Sequence, residues 1–96
     1  MQNQETDQPV DEAVLVEAKQ KLNDLWQRGK DFLGTEYAIL GGAMSWVSDR
    51  HLVSAISNAG GFGVIACGGM TPDLLKEEII ATQQLTQKPF GVNLIT

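Results

Sequence analysis

Three short apolar runs, separated by two amphipathic segments, are the feature that most narrows what this chain can fold into. The runs are YAIL (37–40), FGVIA (62–66) and FGVNLI (90–95), and their first residues lie 25 and 28 positions apart. Wholly apolar runs of this length are typical of buried strands. Strands that alternate with helices at such a spacing pair in parallel through right-handed crossovers. The sequence therefore predicts an α/β fold in the order β-α-β-α-β.

A longer amphipathic helix is predicted ahead of the first strand. Between residues 11 and 33 apolar side chains recur at three- and four-residue steps, and Gly34 is placed to end the helix. We expect its stripe to pack across the amino-terminal ends of the strands, away from the loops that follow them. The side chains of that stripe are Leu15, Leu22, Leu25 and Trp26.

The two helices between the strands have recognisable ends. Ser48 is predicted to cap the second helix, and Gly60 to end it with a positive φ. Thr71 followed by Pro72 is typical of a helix start, and Pro89 breaks this third helix before the last strand. The expected inward positions are Leu52, Val53, Ile56 and Ala59 on the second helix, and Leu74, Leu75, Ile79 and Leu85 on the third.

Charge and composition argue against several classes of function. The 96 residues suffice for one small domain, and a net charge of −5 without a Lys/Arg cluster argues against nucleic-acid binding. The acidic start is unlike a signal peptide, and no run approaches the roughly 20 apolar residues of a membrane span. Cys67 is the only cysteine, so neither an internal disulfide nor a cysteine metal site is expected. A reducing, cytoplasmic setting is the expectation.

The segment GFGVIA (61–66) matches the dinucleotide-binding pattern G-x-G-x-x-[GA] in form only. That fingerprint has to follow a strand and open a helix, so that the helix amino terminus meets the pyrophosphate. Here the match follows a predicted helix and opens a predicted strand. Gly60, Gly61 and Gly63 are therefore interpreted as the turn between the two elements.

The loops after the predicted strands hold the candidate ligand contacts. GGAMSW (41–46) brings glycine backbone and the large side chains of Met44 and Trp46 to the end of the first strand. Such a loop suits a flat aromatic ring, or its side chains pack under a neighbouring loop. Gly68 and Gly69 are either a plain turn or a close approach to a ligand. Because parallel strands bring their carboxyl ends together, Met44, Gly68 and Asn93 are expected at one end of the sheet.

Three further polar or reactive residues have a structural and a functional interpretation. Asn93, inside an apolar strand, either binds a cofactor or links a loop to the sheet. His51 has no second ligand at metal spacing and is interpreted as a surface residue. Cys67 is interpreted as a small buried apolar side chain.

Residues 37–96 resemble the amino-terminal part of the nitronate monooxygenase family, also called 2-nitropropane dioxygenases. The flavin-dependent enoyl-ACP reductases of bacteria belong to the same superfamily. The resemblance rests on the GGAM loop, on SNAGGFG (57–63) and on KPFGVN (88–93) taken together. The chain departs from the family pattern with Ala38 for a proline, Gly41 for a glutamine and Ala43 for a glycine.

The resemblance implies the first three strands and two crossover helices of an FMN-binding (β/α)₈ TIM barrel, preceded by an extra helix. The implied organisation is a disordered tail at 1–10, an amphipathic helix at 11–34 and a partial barrel at 35–96. By motif, Ala43, Met44 and Ser45 correspond to the loop against the isoalloxazine, and Asn93 to the family asparagine near the flavin. The family's catalytic histidine lies beyond Thr96, so no catalytic residue and no metal ligand is assigned.

The activity implied by the resemblance is the oxidation of alkyl nitronates with O₂ through a reduced flavin. The alternative is a flavin-dependent enoyl-ACP reductase that takes hydride from NAD(P)H. A third interpretation is a truncated chain without activity of its own, because three parallel strands cannot close a barrel. The oligomeric state is left open.

Overall fold

A computed structural model of the chain describes residues 11–95, and within this range three helices and three short strands follow one another in the predicted order. The predicted tail at 1–10 lies outside the described residues. The elements are α1 (Glu12–Leu33), β1 (Leu40–Gly41), α2 (Arg50–Asn58), β2 (Phe62–Ala66), α3 (Pro72–Leu85) and β3 (Phe90–Asn93).

The three strands form one parallel sheet in the order β1-β2-β3. Leu40 pairs with Phe62, Gly63 pairs with Phe90, and Ala66 pairs with Asn93. The prediction of parallel strands joined by helical crossovers is confirmed. Since all three strands run the same way, their carboxyl ends lie along one edge of the sheet, called the carboxyl edge from here on.

The outer strands are shorter than predicted. The residues expected in the first strand, 37–40, are held by isolated hydrogen bonds: Tyr37 N–H donates to Gly60 O at 2.9 Å, and Phe62 N–H donates to Ile39 O at 2.8 Å. The regular ladder includes only Leu40 and Gly41. The last strand ends at Asn93, and Leu94 beyond it is exposed. Apolar composition alone overestimated both strands because one face of this sheet is uncovered within residues 11–95.

A close contact between α2 and β2 forms the centre of the molecule. Val53 and Ile65 are fully buried. A methyl group placed on Gly63 would lie 2.5 Å from the carbonyl oxygen of Val53, so only glycine permits this approach. Gly63 N–H also donates to the buried hydroxyl of Ser57 at 3.1 Å. The prediction that this segment is a turn and not a dinucleotide-binding loop agrees with its place between α2 and β2, but Gly63 lies within β2 and serves helix-to-strand packing, which the sequence analysis did not predict.

The ends of α1 and α2 agree with the predictions except at one cap. Gly34 and Gly60 have φ values of 70° and 103°, the left-handed conformation expected of them. The cap of α2 is Asp49 and not Ser48, because the Asp49 carboxylate accepts from His51 N–H and Leu52 N–H, both at 3.0 Å. Ala59, predicted to face inward, is exposed.

The third helix begins as predicted, and of its predicted inward residues Leu75 and Ile79 are half-buried while Leu74 and Leu85 are exposed. The Thr71 hydroxyl accepts from Leu74 N–H at 3.2 Å. Leu74 and Leu85 are each 46% exposed, and the fully buried side chain of α3 is Thr82. Thr82 can be fully buried because its hydroxyl donates to Glu78 O at 2.7 Å and so needs no further partner.

The first helix makes fewer contacts than its stripe predicted. Trp26 packs edge-on against Tyr37, with ring centroids 6.1 Å apart, which places it before β1, at the predicted end of the strand. Gly29 lies against Ala38. The rest of the stripe is not packed, since no α1 residue is fully buried and Leu25 is 80% exposed. The described sheet is too short to cover a helix of 22 residues, about 33 Å long.

Candidate functional site

The segments that follow the three strands meet at the carboxyl edge. They are the β1–α2 loop (42–49), the β2–α3 loop (67–71) and residues 94–95. A methyl group on Gly68 would lie 2.6 Å from Ile95 Cδ1 and 3.5 Å from Ser45 Oγ. Gly68 is therefore the point at which all three segments touch, and the predicted convergence at this end is confirmed.

The buried hydroxyl of Ser48 holds the β1–α2 loop in shape. It accepts from Met44 N–H at 2.8 Å and donates to Gly42 O at 3.3 Å. Ser48 N–H donates to Met44 O at 2.8 Å, and Ala66 N–H reaches Ser48 O at 3.4 Å. Ser48 thus ties the loop both to itself and to the end of β2. The sequence analysis missed this role, although Asp49 beside it, an equally good capping residue, was a usable signal.

The two large side chains of this loop behave differently. Met44 is 51% exposed, so it does not pack under a neighbouring loop of the described chain. Trp46 has a φ of 65°, an uncommon conformation for a residue with a bulky side chain. Its indole edge rests on Gly69, where an added methyl group would lie 2.5 Å from Cζ2. Gly69 is therefore required by a packing contact within the described chain.

Two residues at the carboxyl edge carry polar groups that have no hydrogen-bond partner between residues 11 and 95. The backbone N–H and C=O of Ala43 make no hydrogen bond there. The half-buried amide of Asn93 likewise bonds to no other described residue, so it does not link a loop to the sheet. A methyl group on Gly42 would meet nothing within 4 Å. This stretch of backbone is open to a ligand.

An ion pair stands on the helix side of the same edge. Arg50 donates to the Glu78 carboxylate from its backbone N–H at 2.9 Å, from Nε at 3.0 Å and from Nη2 at 2.7 Å. These hydrogen bonds lower the pKa of Glu78, and the same pairing raises the pKa of Arg50. Both charges are engaged with each other, so the pair connects α2 to α3 and offers no free acid or base. The sequence analysis did not identify it.

A shallow groove of about 180 Å³ lies between this ion pair and the loops. It is lined by Trp46, Ser48, Asp49, Met70, Leu74 and Glu78. Asp49 caps α2 and Glu78 pairs with Arg50, so the two acids in the groove are already bonded within the protein.

The remaining candidates lie apart from any reactive partner. His51 is exposed on α2, as expected, and Cys67 is half-buried at the end of β2. Among residues 11–95 no three His, Cys, Asp or Glu side chains are grouped closely enough to hold a metal ion. None of the helices in this range is long and apolar enough to cross a membrane.

Parallel β-α-β units with open loops at the carboxyl edge define the class of this chain: it is an α/β protein built from the unit that barrels and open sheets share, and in both of these ligands bind at that edge. The family is more specific. The sequence model of the nitronate monooxygenase family matches residues 27–96, and the chain belongs to this family.

Two curated relatives share the same region. The chain is 42% identical over 64 residues to a Mycobacterium tuberculosis protein named "(3aS,4S,5R,7aS)-5-hydroxy-7a-methyl-1-oxo-octahydro-1H-indene-4-carboxyl-CoA dehydrogenase", a match that covers 67% of this chain and 18% of the relative. It is also 42% identical over 62 residues to a "Probable nitronate monooxygenase" of Staphylococcus haemolyticus, covering 65% and 17% respectively. The match therefore spans less than a fifth of the length of either relative.

A solved structure extends the likeness to three dimensions. FabK from Thermotoga maritima superposes with a TM-score of 0.68 at 46% sequence identity. The match covers 70% of this chain and 22% of that one. Together these comparisons place the chain in a family of oxidoreductases.

Proposed function

We propose that the carboxyl edge forms part of the FMN-binding floor of an oxidoreductase that oxidises alkyl nitronates with O₂. The observation that carries the proposal is the convergence of three segments at Gly68, on an edge where the backbone of Ala43 and the amide of Asn93 have no partner among residues 11–95. Family membership supplies the class of reaction, and the free polar groups supply the means of holding a ring.

The residues present fit a flavin ring. Neighbouring strands lie about 4.8 Å apart, so β1 and β3 are roughly 10 Å apart, a span that a fused three-ring system can cross. Ala43 offers a backbone donor and acceptor to a polar ring edge, and the side-chain amide of Asn93 can both donate and accept hydrogen bonds. The exposed thioether of Met44 supplies a soft apolar contact. Ser45 joins this set through its position beside Gly68.

Each of these groups binds the ligand or orients another group of the site. When bound, FMN supplies the electron transfer that the reaction with O₂ needs. The Ser48 hydroxyl fixes the Met44 amide, and so fixes the loop on which Ala43 stands. None of the described residues is a proton-transfer group at this edge, because the Arg50–Glu78 pair is engaged and His51 lies on an exposed stretch of α2. We assign binding residues here and no catalytic residue.

A second candidate is a flavin-dependent reductase or dehydrogenase that acts on a thioester with NAD(P)H. The observation that favours it is the name of the Mycobacterium relative, a dehydrogenase of a carboxyl-CoA compound. The two candidates use the same flavin floor and differ in the substrate. Small-molecule substrates are common to both, and a cytoplasmic setting remains a prediction.

A chimera tests the flavin floor that the two candidates share. Residues 27–96 replace the matching segment of the Staphylococcus haemolyticus relative, which supplies the rest of the barrel. Flavin absorbance is recorded, followed by O₂ uptake with propane-2-nitronate and by NADH and NADPH oxidation with crotonyl-CoA. We expect a bound flavin and nitronate-dependent O₂ uptake. Thioester-dependent oxidation of NADH or NADPH without nitronate turnover would favour the second candidate, and a folded chimera that binds no flavin would contradict both.

A further inference from the structure

Apart from Trp26, the apolar stripe of the first helix is exposed. Its side chains are spaced three and four residues apart, as in the a and d positions of a coiled coil. They are Leu15, Ala18, Leu22, Leu25 and Phe32, called the heptad stripe from here on. All five are exposed, and Phe32 is 88% exposed. The helix packs on Tyr37 and Ala38 through Trp26 and Gly29. Gly29 holds the a position between Leu25 and Phe32, so the heptad stripe is uncovered without a break only from Leu15 to Leu25.

Basic side chains border the heptad stripe on both sides. In the same register Lys19 holds an e position, and Lys21 and Arg28 hold g positions, the places that select the partner of a coiled coil. Lys21 lies 3.4 Å from Glu17 in an exposed pair, which is worth little. Lys19 and Arg28 pair with no carboxylate between residues 11 and 95.

Three of the four acidic side chains of the helix, Glu17, Asp24 and Asp31, hold c positions outside the seam. Gln20 donates to Asp24 at 3.0 Å, and Gln27 donates to Asp31 at 2.8 Å, so these two carboxylates are bonded along the helix. These acids are therefore turned away from the heptad stripe, whereas Glu12 holds an e position beside Leu15. With one acid and three bases at the flanking positions, the charge beside the stripe is net positive.

We propose that the heptad stripe between Leu15 and Leu25 is a docking surface for a partner helix with its own apolar seam and with Glu or Asp at the flanking positions. The family match begins at residue 27, so most of this surface lies outside the region shared with the family. The surface therefore adds a protein-binding role to the proposed flavin chemistry and does not depend on it.

Charge favours this occupant over the alternatives. A second copy paired antiparallel would set the bases at g against each other and could gain an ion pair only between Glu12 and Lys19, and a parallel copy would gain no ion pair from its g and e positions. An anionic lipid surface would have to attract a helix with four acids and four bases, in a chain of net charge −5. An acidic-flanked helix gains apolar burial and pairs Lys19, Lys21 and Arg28 at once.

The test uses the 96-residue chain and a labelled synthetic peptide of three heptads, with Leu at a and d and Glu at e and g. A matched peptide carries Lys at e and g. Fluorescence anisotropy should show binding of the acidic peptide about tenfold or more tighter than the basic one, weakening as salt is raised towards ~0.5 M. Leu25→Glu should weaken binding by about tenfold or more without loss of helical circular dichroism, because Leu25 is 80% exposed.

Val16→Glu is the matched control, since Val16 is 67% exposed on the same helix but stands outside the heptad stripe. It should bind the acidic peptide as the unmodified chain does. Equal affinity for the two peptides, or equal losses in the Val16 and Leu25 variants, would refute the proposal. So would a dimer in sedimentation velocity that Leu25→Glu disrupts, or binding to phosphatidylserine vesicles that the same change abolishes.

Discussion

At the scale of single residues, the hydroxyl of Ser48 and the absence of a side chain at Gly63 determine the shape of the candidate site. Gly63 allows α2 to touch β2, and Ser48 closes the loop that follows β1. The sequence indicated that Gly63 needs the freedom of glycine but assigned it to a turn, because the contact with Val53 comes from the packing of α2 on β2. The role of Ser48 was not predictable, since a serine before a helix is most often a cap, and only the bonds to Met44 and Gly42 reveal another role.

Ser48→Ala should therefore destabilise the fold. The change leaves Met44 N–H without its acceptor in a part-buried loop, which costs about 1–3 kcal/mol. Urea unfolding followed by circular dichroism measures the free energy of unfolding. Ser45→Ala is the control, because the Ser45 side chain is exposed and should change stability by less than about 0.5 kcal/mol. Equal effects of the two changes would contradict the role assigned to Ser48.

Two glycines that look alike in the sequence should respond oppositely to alanine. At Gly63 the new methyl group would meet backbone atoms of Val53, which cannot move without shifting α2, so we expect a loss of about 1–3 kcal/mol. At Gly42 the methyl group enters open space, and the smaller entropy of the unfolded chain should raise stability by up to about 1 kcal/mol. Thermal unfolding of the two variants tests the difference, and a stable Gly63→Ala protein would overturn the packing argument.

At the scale of elements, helix ends were predicted better than strand lengths. Caps and terminal glycines act locally, so Gly34, Gly60 and Thr71 could be assigned from their neighbours. A strand exists only where a partner offers a ladder, and that depends on residues distant in the sequence. Residues 37–39 are apolar enough for a strand, yet Tyr37 bonds to the turn at Gly60 instead of extending the ladder.

The Arg50–Glu78 ion pair, which connects α2 to α3, should make the free energy of unfolding depend on pH. Because the pKa of Glu78 is lowered by the hydrogen bonds from Arg50, the folded state favours the carboxylate. Its contribution to stability is fully present above the ordinary glutamate pKa, about 4.3, and is lost as the pH falls through the lower folded value. Urea unfolding between about pH 3 and pH 7 should therefore show stability rising with pH, with a smaller slope in Glu78→Gln. Glu77→Gln, on the exposed side of α3, is the control and should keep the slope of the unmodified chain.

At the scale of the whole molecule, the described residues form one side of a ligand site and leave its other sides open. The fold order and the convergence of loops were predictable from the spacing of the apolar runs, because parallel crossovers leave one arrangement for the carboxyl ends. The exposure of α1 was not predictable, since an amphipathic pattern indicates that a face is apolar and not what covers it. The same reasoning applies to the sheet, whose open face and edges need further strands to enclose a ligand.

The affinity for FMN should be low where the site is open and high where further strands enclose it. In the 96-residue chain, FMN would contact Ala43, Met44 and Asn93 from one side and keep its other face in water, so fluorescence titration should detect no tight binding. In the chimera with the Staphylococcus haemolyticus relative the site is enclosed, and binding should be tight. There Asn93→Ala should weaken FMN binding by about 1–2 kcal/mol, about tenfold, through the loss of side-chain hydrogen bonds. Gln83→Ala, exposed on α3, should have no effect. Unchanged affinity in the Asn93 variant would remove that residue from the site, and tight binding by the 96-residue chain would show that the three loops suffice.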